Sequence, residues 1–183
     1  MLDTFTLLSQ NFIKDYNGHK LIVITAGAGS LLHSLSAFPG SSKCFLGSIN
    51  IYDSELFVET VGTKPKSFAS YEATDLLLQA VEEDDYQGAL VVSITGALTA
   101  TRHRKGKDRA YAVLKDVELK STISLEFEFP YLDEEAYAKL TPEQVTQHRL
   151  TQEEFIAKVV LKYAAKMRPD TWMYKYIMYE VPK

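Results

Sequence analysis

Leu21-Ile22-Val23-Ile24-Thr25 is an unbroken apolar, β-branched run, followed by Ala26-Gly27-Ala28-Gly29-Ser30 and then by LLHSLSAF, Leu31 to Phe38. Five such residues without polar alternation are the pattern of a strand buried on both faces, as in a parallel sheet. LLHSLSAF reads as a short helix with Leu31, Leu32 and Leu35 turned inward. Strand, small-residue loop and helix in this order form an α/β unit whose loop presents backbone N–H groups to an anion. Gly27 and Gly29 match neither a dinucleotide fingerprint nor a P-loop, so the loop alone names no ligand.

The neighbouring segments extend the α/β pattern in both directions. Upstream, Leu2, Phe5, Leu8, Phe12 and Ile13 recur at helical spacing before Asn17-Gly18, predicting an amphipathic helix that stops at the glycine. Downstream, Phe38 to Tyr52 (FPGSSKCFLGSINIY) has a Pro-Gly turn, Ser41 and Ser42 at a strand entrance, and a largely buried strand through Cys44, Phe45, Ile49 and Ile51. Helices are expected from Ser54 to Val61, ended by Gly62, and from Ser67 to Glu83. Ala89 to Thr95 is a second fully buried strand. Ala110 to Leu114 and Ser121 to Phe129 are two further strands, expected as an antiparallel pair at a sheet edge. The acidic stretch 131–148 reads as a solvated helical insert with a helix start at Thr141-Pro142-Glu143-Gln144. Thr151 with Glu154 is read as a second capping box, opening a helix through Met167. The aromatic tail, 168–183, is expected to pack from Trp172 to Val181. Together these elements predict one domain over 1–183, a three-layer α/β/α fold with a mostly parallel sheet and an antiparallel edge.

Composition limits the function classes. The chain has 183 residues, 46% hydrophobic, and no apolar run approaches the roughly 20 residues of a membrane span. The amino terminus carries an acid where a signal peptide is basic, so the expected location is the cytoplasm. The single Cys44 precludes an internal disulfide and a multi-cysteine zinc cage. The net charge of −4 argues against broad attraction to nucleic acid or anionic membrane and leaves room for a local anion site. His19, His33, His103 and His148 have no metal-ligand spacing, and neither a metal nor a cofactor is expected.

In α/β folds, sites lie at the carboxyl ends of the strands. That edge includes 26–30, with Ser30, and the loop after Ser93-Ile94-Thr95-Gly96. Thr101 to Arg109 (TRHRKGKDR) follows it, a basic cluster in an otherwise acidic chain, and Arg102 and Arg104 are candidate phosphate contacts. A solvated, solubilising loop is the competing reading.

Thr25-Ala26, Pro39-Gly40-Ser41-Ser42, Gly47, Tyr52 and Ser93-Ile94-Thr95-Gly96 together resemble the C-terminal domain family of the competence/damage-inducible protein CinA. That family includes amidohydrolases that release ammonia from nicotinamide mononucleotide. The match covers about 21–114, without a gap from Gly40 to Gly62. The resemblance implies that Ser42 and Tyr52 are catalytic, with Ser30, Ser41, Thr95, Gly96, Arg102 and Arg104 around a small phosphorylated ligand, and it permits a homodimer. The family pattern Y-S-N-x-x-K places a lysine where this chain has Phe57. A serine hydroxyl needs a base to become a nucleophile at neutral pH, and phenylalanine supplies none. T-A-E-S-C-T-G-G has become Thr25 to Leu32, losing its carboxylate and cysteine and replacing its glycines with Leu31 and Leu32, which are expected to obstruct a ligand. The expectation is therefore a catalytically degenerate CinA-like domain that binds a phosphorylated or nucleotide-like ligand or a protein partner. The alternatives are deamidation of nicotinamide mononucleotide through Ser42, and a structural subunit contacting partners through the acidic insert and aromatic tail.

Overall fold

The computed structural model describes residues 4–16, 20–82, 88–167 and 171–177. Five helices and six strands follow in chain order: α1 (Thr4–Asp15), β1 (Lys20–Ala26), β2 (Phe45–Asn50), α2 (Ser54–Val61), α3 (Tyr71–Glu82), β3 (Ala89–Ala97), β4 (Arg109–Asp116), β5 (Ser121–Glu128), α4 (Glu134–Ala138), α5 (Pro142–Ala164) and β6 (Thr171–Ile177). A 3₁₀ helix, Ser30–Ala37, and a shorter 3₁₀ turn, Ser41–Lys43, connect β1 to β2. The expected stop of α1 at Asn17-Gly18 falls outside the described residues.

The sheet order is β2-β1-β3-β4-β5-β6. β1 runs parallel to β2 and β3, β4 is antiparallel to β3 and β5, and β6 is parallel to β5. Five strands therefore point one way and β4 alone is reversed. The expected antiparallel pair is present, and β6, drawn from the aromatic tail, covers it and becomes the edge. The described part of the tail is thus built into the sheet, while 178–183 lie outside the described residues.

Two apolar layers sandwich the sheet, giving the expected α/β/α arrangement. On one face Leu21 and Val23 pack with Leu32, Leu35, Phe12 and Ile156 beneath α1, the 3₁₀ helix and α5. On the other, Ile22, Ile24 and Ala26 pack with Phe57, Leu77 and Val81 beneath α2 and α3. Alternation along β1 explains the split, because successive residues face opposite sides. LIVIT is apolar throughout because both faces are covered.

Three expectations need correction. β2 is the exposed edge of the sheet, with Leu46 and Ile49 at 49% and 42% exposure, because only β1 flanks it. Its apolar sequence looked like that of a largely buried strand. The helix expected from Ser67 starts at Tyr71, since the Ser70 side chain accepts from Ala73 N and so ends the preceding turn. The second capping box does not exist. α5 begins at Pro142 behind the N-cap Thr141, whose hydroxyl accepts from Gln144 N and whose N–H donates to Gln144 Oε1, and Thr151 lies inside the helix, donating back to Gln147 O. That helix ends at Ala164, short of Met167.

Candidate functional site

The carboxyl ends of β1 and β3 meet at two glycines. Gly27 has φ 76°, and a Cβ there would lie 2.3 Å from Gly96 O; one on Gly96 would lie 2.5 Å from Ala28 Cβ. Both positions require glycine because the two loop backbones touch. Behind them α5 supplies a clamp. Arg149 Nη2 donates to Gly27 O at 2.8 Å and to Glu153 Oε1 at 3.0 Å, and its Nη1 reaches Thr99 O at 3.5 Å. Glu153 is 3% exposed and its Oε2 has no partner among the described residues, so this guanidinium is its charge compensation. Gln152 completes the frame, accepting from Thr99 N and donating to Asp108 Oδ2, which also accepts from Thr99 Oγ1.

In front of the glycines lies a cleft of about 420 Å³, lined by Ala26, Gly27, Ile51, Tyr52, Asp53, Ser54, Phe57, Phe68, Gly96, Arg102 and Arg104. Phe57 and Phe68, edge to face with centroids 5.3 Å apart, form its apolar wall. Asp53 Oδ1 caps α2, accepting from Glu55 N and Leu56 N at 2.9 Å each, so those donors of the helix end are already used. The charge in the cleft therefore comes from the β3–β4 loop. Within it, Lys107 and Arg109 are committed to Glu128, at 2.6 and 3.1 Å. Arg102 and Arg104 form no ion pair among the described residues; both are exposed, and both line this cleft and the smaller pocket beside it. The loop is held in place by His103, whose Nε2 donates to Leu132 O at 3.0 Å while its ring packs against Tyr131 and Tyr137. Tyr137 donates its hydroxyl to Ala100 O. The small pocket there, about 20 Å³, has room for roughly one water.

The expected site residues divide into two groups. Tyr52, Gly96, Arg102 and Arg104 converge on the cleft, with Tyr52 78% exposed. Phe57, where the resemblance leads one to expect a lysine, is 1% exposed and belongs to the core that walls the cleft. Ser42 does not converge with Tyr52. It is exposed in the 3₁₀ turn before β2, Tyr52 lies just after β2, and a strand of six residues separates them by about 20 Å. Ser41 lies with Ser42 at the wrong end, its hydroxyl on Ser36 O. Thr95 is fully buried and bonded to Thr74 Oγ1 at 2.7 Å and Ser70 O at 3.1 Å, which fastens α3 to β3 and leaves nothing for a ligand. Ser30 is exposed at the start of the 3₁₀ helix and does not line the cleft. Leu31 and Leu32 turn into the core beside α1 and α5, so they do not obstruct the cleft as expected.

A lysine does stand near Ser42, one the motif does not indicate. Lys20 Nζ donates to the carbonyls of Ser42 and Lys43 at 3.4 and 3.2 Å. An amine that donates to two carbonyls serves as an anchor for the turn; a general base would have to offer its lone pair to the hydroxyl. Cys44 is buried, and burial pushes its thiol pKa up, away from thiolate chemistry. Among the described residues no group of histidine, cysteine, aspartate and glutamate side chains could hold a metal, and no helix is long and apolar enough to cross a membrane.

A polar chain that sequence reading missed sits on the other face of β1. Thr25 Oγ1 lies 2.7 Å from His33 Nε2 and donates to Asn50 Oδ1 at 3.1 Å. With its one proton on Asn50, the hydroxyl must accept from His33, which fixes the Nε2–H tautomer. Burial lowers the His33 pKa and keeps the ring neutral. The chain ties β1, β2 and the 3₁₀ helix together at the carboxyl edge.

No family model matches the sequence, and no curated protein matches it. Solved structures do match the fold. The competence/damage-inducible protein CihA from Agrobacterium tumefaciens superposes with a TM-score of 0.64 at 12% identity, over 91% of this chain and 96% of that one. A competence or damage-inducible protein from Enterobacter asburiae gives 0.61 at 11% identity, over 90% and 98%. A CinA superfamily protein from Escherichia coli gives 0.54 at 15% identity, over 88% and 93%. The chain therefore has the fold of the CinA superfamily, and it shares that fold along nearly its whole length.

Proposed function

We propose that this chain is a CinA-like domain without amidohydrolase chemistry, and that its cleft binds a small phosphorylated or nucleotide-like ligand. The observation that carries the reading is the pair Arg102 and Arg104, free of ion pairs among the described residues, over a cleft floored by Phe57 and Phe68. Arginine forks suit a phosphate, and an apolar aromatic wall suits a flat ring beside it. The same wall occupies the place where a hydrolase of this type keeps its lysine. With phenylalanine there and no base bonded to Ser42 Oγ among the described residues, this reading gives water and a nicotinamide amide no activated nucleophile to meet.

The test is binding measured by calorimetry with nicotinamide mononucleotide, adenosine monophosphate and inorganic phosphate as probes. At least one nucleotide binds, and the double variant Arg102→Ala, Arg104→Ala weakens it by roughly tenfold or more, the loss expected for charged hydrogen bonds. Failure of all three probes to bind favours the structural-subunit alternative. Ammonia release from nicotinamide mononucleotide that disappears in Ser42→Ala restores the hydrolase alternative.

A further inference from the structure

Arg102 and Arg104 belong to two cavities at once: the cleft of about 420 Å³ and the pocket of about 20 Å³ beside it. The second cavity is aromatic as well, because the segment after β5 brings Tyr131 and Tyr137 to it alongside His103. That segment is pinned to the basic loop at two points, His103 Nε2 on Leu132 O at 3.0 Å and the Tyr137 hydroxyl on Ala100 O. Tyr131 is therefore held beside the arginines, edge to face with His103 at 6.1 Å between centroids, and it is still 45% exposed. A tyrosine ring fixed in this way offers stacking surface whose ordering is already complete. Asp108, the carboxylate of this pocket, accepts from Thr99 Oγ1 and Gln152 Nε2 at 2.7 and 2.9 Å and leaves the arginine charge unneutralised. The pocket itself holds about one water, so a ring seated here lies across its mouth on Tyr131.

We propose that the ligand of this site is a dinucleotide, two nucleosides joined by a diphosphate. The diphosphate lies on Arg102 and Arg104, one base against Phe57 and Phe68, and the other on Tyr131. Two guanidiniums match the two charges of a diphosphate diester, one for each phosphate. A mononucleotide leaves Tyr131 unused; a ligand with a ring on each side of its phosphates covers both aromatic surfaces. Every base has a face that stacks on tyrosine, so Tyr131 selects for the presence of a second ring and not for its identity. The inference rests on the cleft being the nucleotide site and names the class of nucleotide it takes.

Calorimetry on the full chain with AMP, ADP and diadenosine diphosphate separates the contributions. ADP supplies the second phosphate without the second ring, and its terminal phosphate carries more charge than the diester, so charge alone favours ADP. The dinucleotide is nevertheless expected to bind about fivefold or more tighter than ADP, the low end for a base stacked on an aromatic side chain. Tyr131→Leu keeps apolar bulk against His103 but lacks the flat ring. It should abolish that advantage while AMP affinity stays within about twofold, as for an exposed substitution, and Tyr131→Phe should retain the advantage. Dinucleotide binding no tighter than that of ADP overturns the inference and leaves the cleft reading intact. An advantage that persists in Tyr131→Leu overturns the seat given to the second ring. Equal losses for AMP and the dinucleotide in Tyr131→Leu mean that Tyr131 only props the loop, and overturn that seat too. If none of the three binds, the inference falls, and the cleft reading falls with it only when nicotinamide mononucleotide and phosphate also fail.

Discussion

At the carboxyl end of β2 the backbone is fixed from several directions: Ile51 N on Thr25 O, Thr25 Oγ1 on Asn50 Oδ1, Asp53 capping α2, and Arg149 reaching from α5 to Gly27. At the amino end, the Ser41–Lys43 turn is held by its own 3₁₀ bonds, the Ser41 hydroxyl, Leu21 N on Cys44 O and the half-exposed Lys20. Long-range side-chain bonding is concentrated where the cleft is. A binding site needs its groups held to within a fraction of an ångström, and a side-chain frame supplies that rigidity. The Ser42 turn has no comparable side-chain frame among the described residues.

The largest effect expected from breaking this contrast is at Arg149. Removing its guanidinium leaves the carboxylate of Glu153, 3% exposed, without its counter-charge, and frees the carbonyls of Gly27 and Thr99. Arg149→Met is expected to cost about 3 kcal/mol, at the low end for a broken buried pair because the arginine itself is partly exposed. A fall in melting temperature of roughly 6–12 °C follows for a domain of this size. Thermal unfolding by circular dichroism measures it. A double variant Arg149→Met, Glu153→Leu should recover much of the loss, and a double variant as unstable as the single one breaks the claim that the charge pair is responsible.

The contrast was only half legible in the sequence. LIVIT and the strand from Ala89 to Thr95 announced strands covered on both faces, and Ser54 to Val61 carried its own stop in Gly62. These signals are local. FLGSIN misled because apolar residues on an edge strand read locally the same as those of a strand buried in the core. Thr151 misled for a different reason: once Thr141 has started the helix, a threonine ten residues on finds the Gln147 carbonyl closer than any free N–H. The basic loop was visible, but which of its charges are spent was not, since Glu128 is far along the chain from Lys107 and Arg109. The bond from Arg149 to Gly27 spans 122 positions, and no pattern within a helix announces it.

A smaller effect is expected from pH. Burial lowers the His33 pKa in the folded chain below its ordinary value near 6.5, so the unfolded chain takes up a proton first as pH falls. Stability from this group is fully present above about pH 7.5 and declines as pH drops from about 6.5 through the lowered folded value. His33→Gln keeps an N–H for Thr25 and removes the titration. Denaturant unfolding at a series of pH values should show wild type losing stability relative to His33→Gln on acidification below pH 6.5, with the two running parallel at higher pH. Parallel curves over the whole range would place the ring outside the bonded chain with Thr25 and Asn50.

The smallest effect is expected at Ser42. Its hydroxyl makes no hydrogen bond among the described residues and the residue is exposed, so Ser42→Ala should change unfolding free energy by less than about 0.5 kcal/mol. One neutral hydrogen bond to a ligand is worth about 1 kcal/mol, so even if Ser42 makes one, nucleotide affinity should fall no more than roughly fivefold in Ser42→Ala. Both numbers are below those expected at the carboxyl edge, about 3 kcal/mol for Arg149→Met and roughly tenfold or more in affinity for the double arginine variant. A large loss of stability in Ser42→Ala would mean that the turn carries structure beyond the bonds described. A binding loss as large as that of the double arginine variant, with stability intact, would move the centre of the site from the arginine loop to the serine. Tyr52 and Ser42 would then belong to one working unit despite standing at opposite ends of β2.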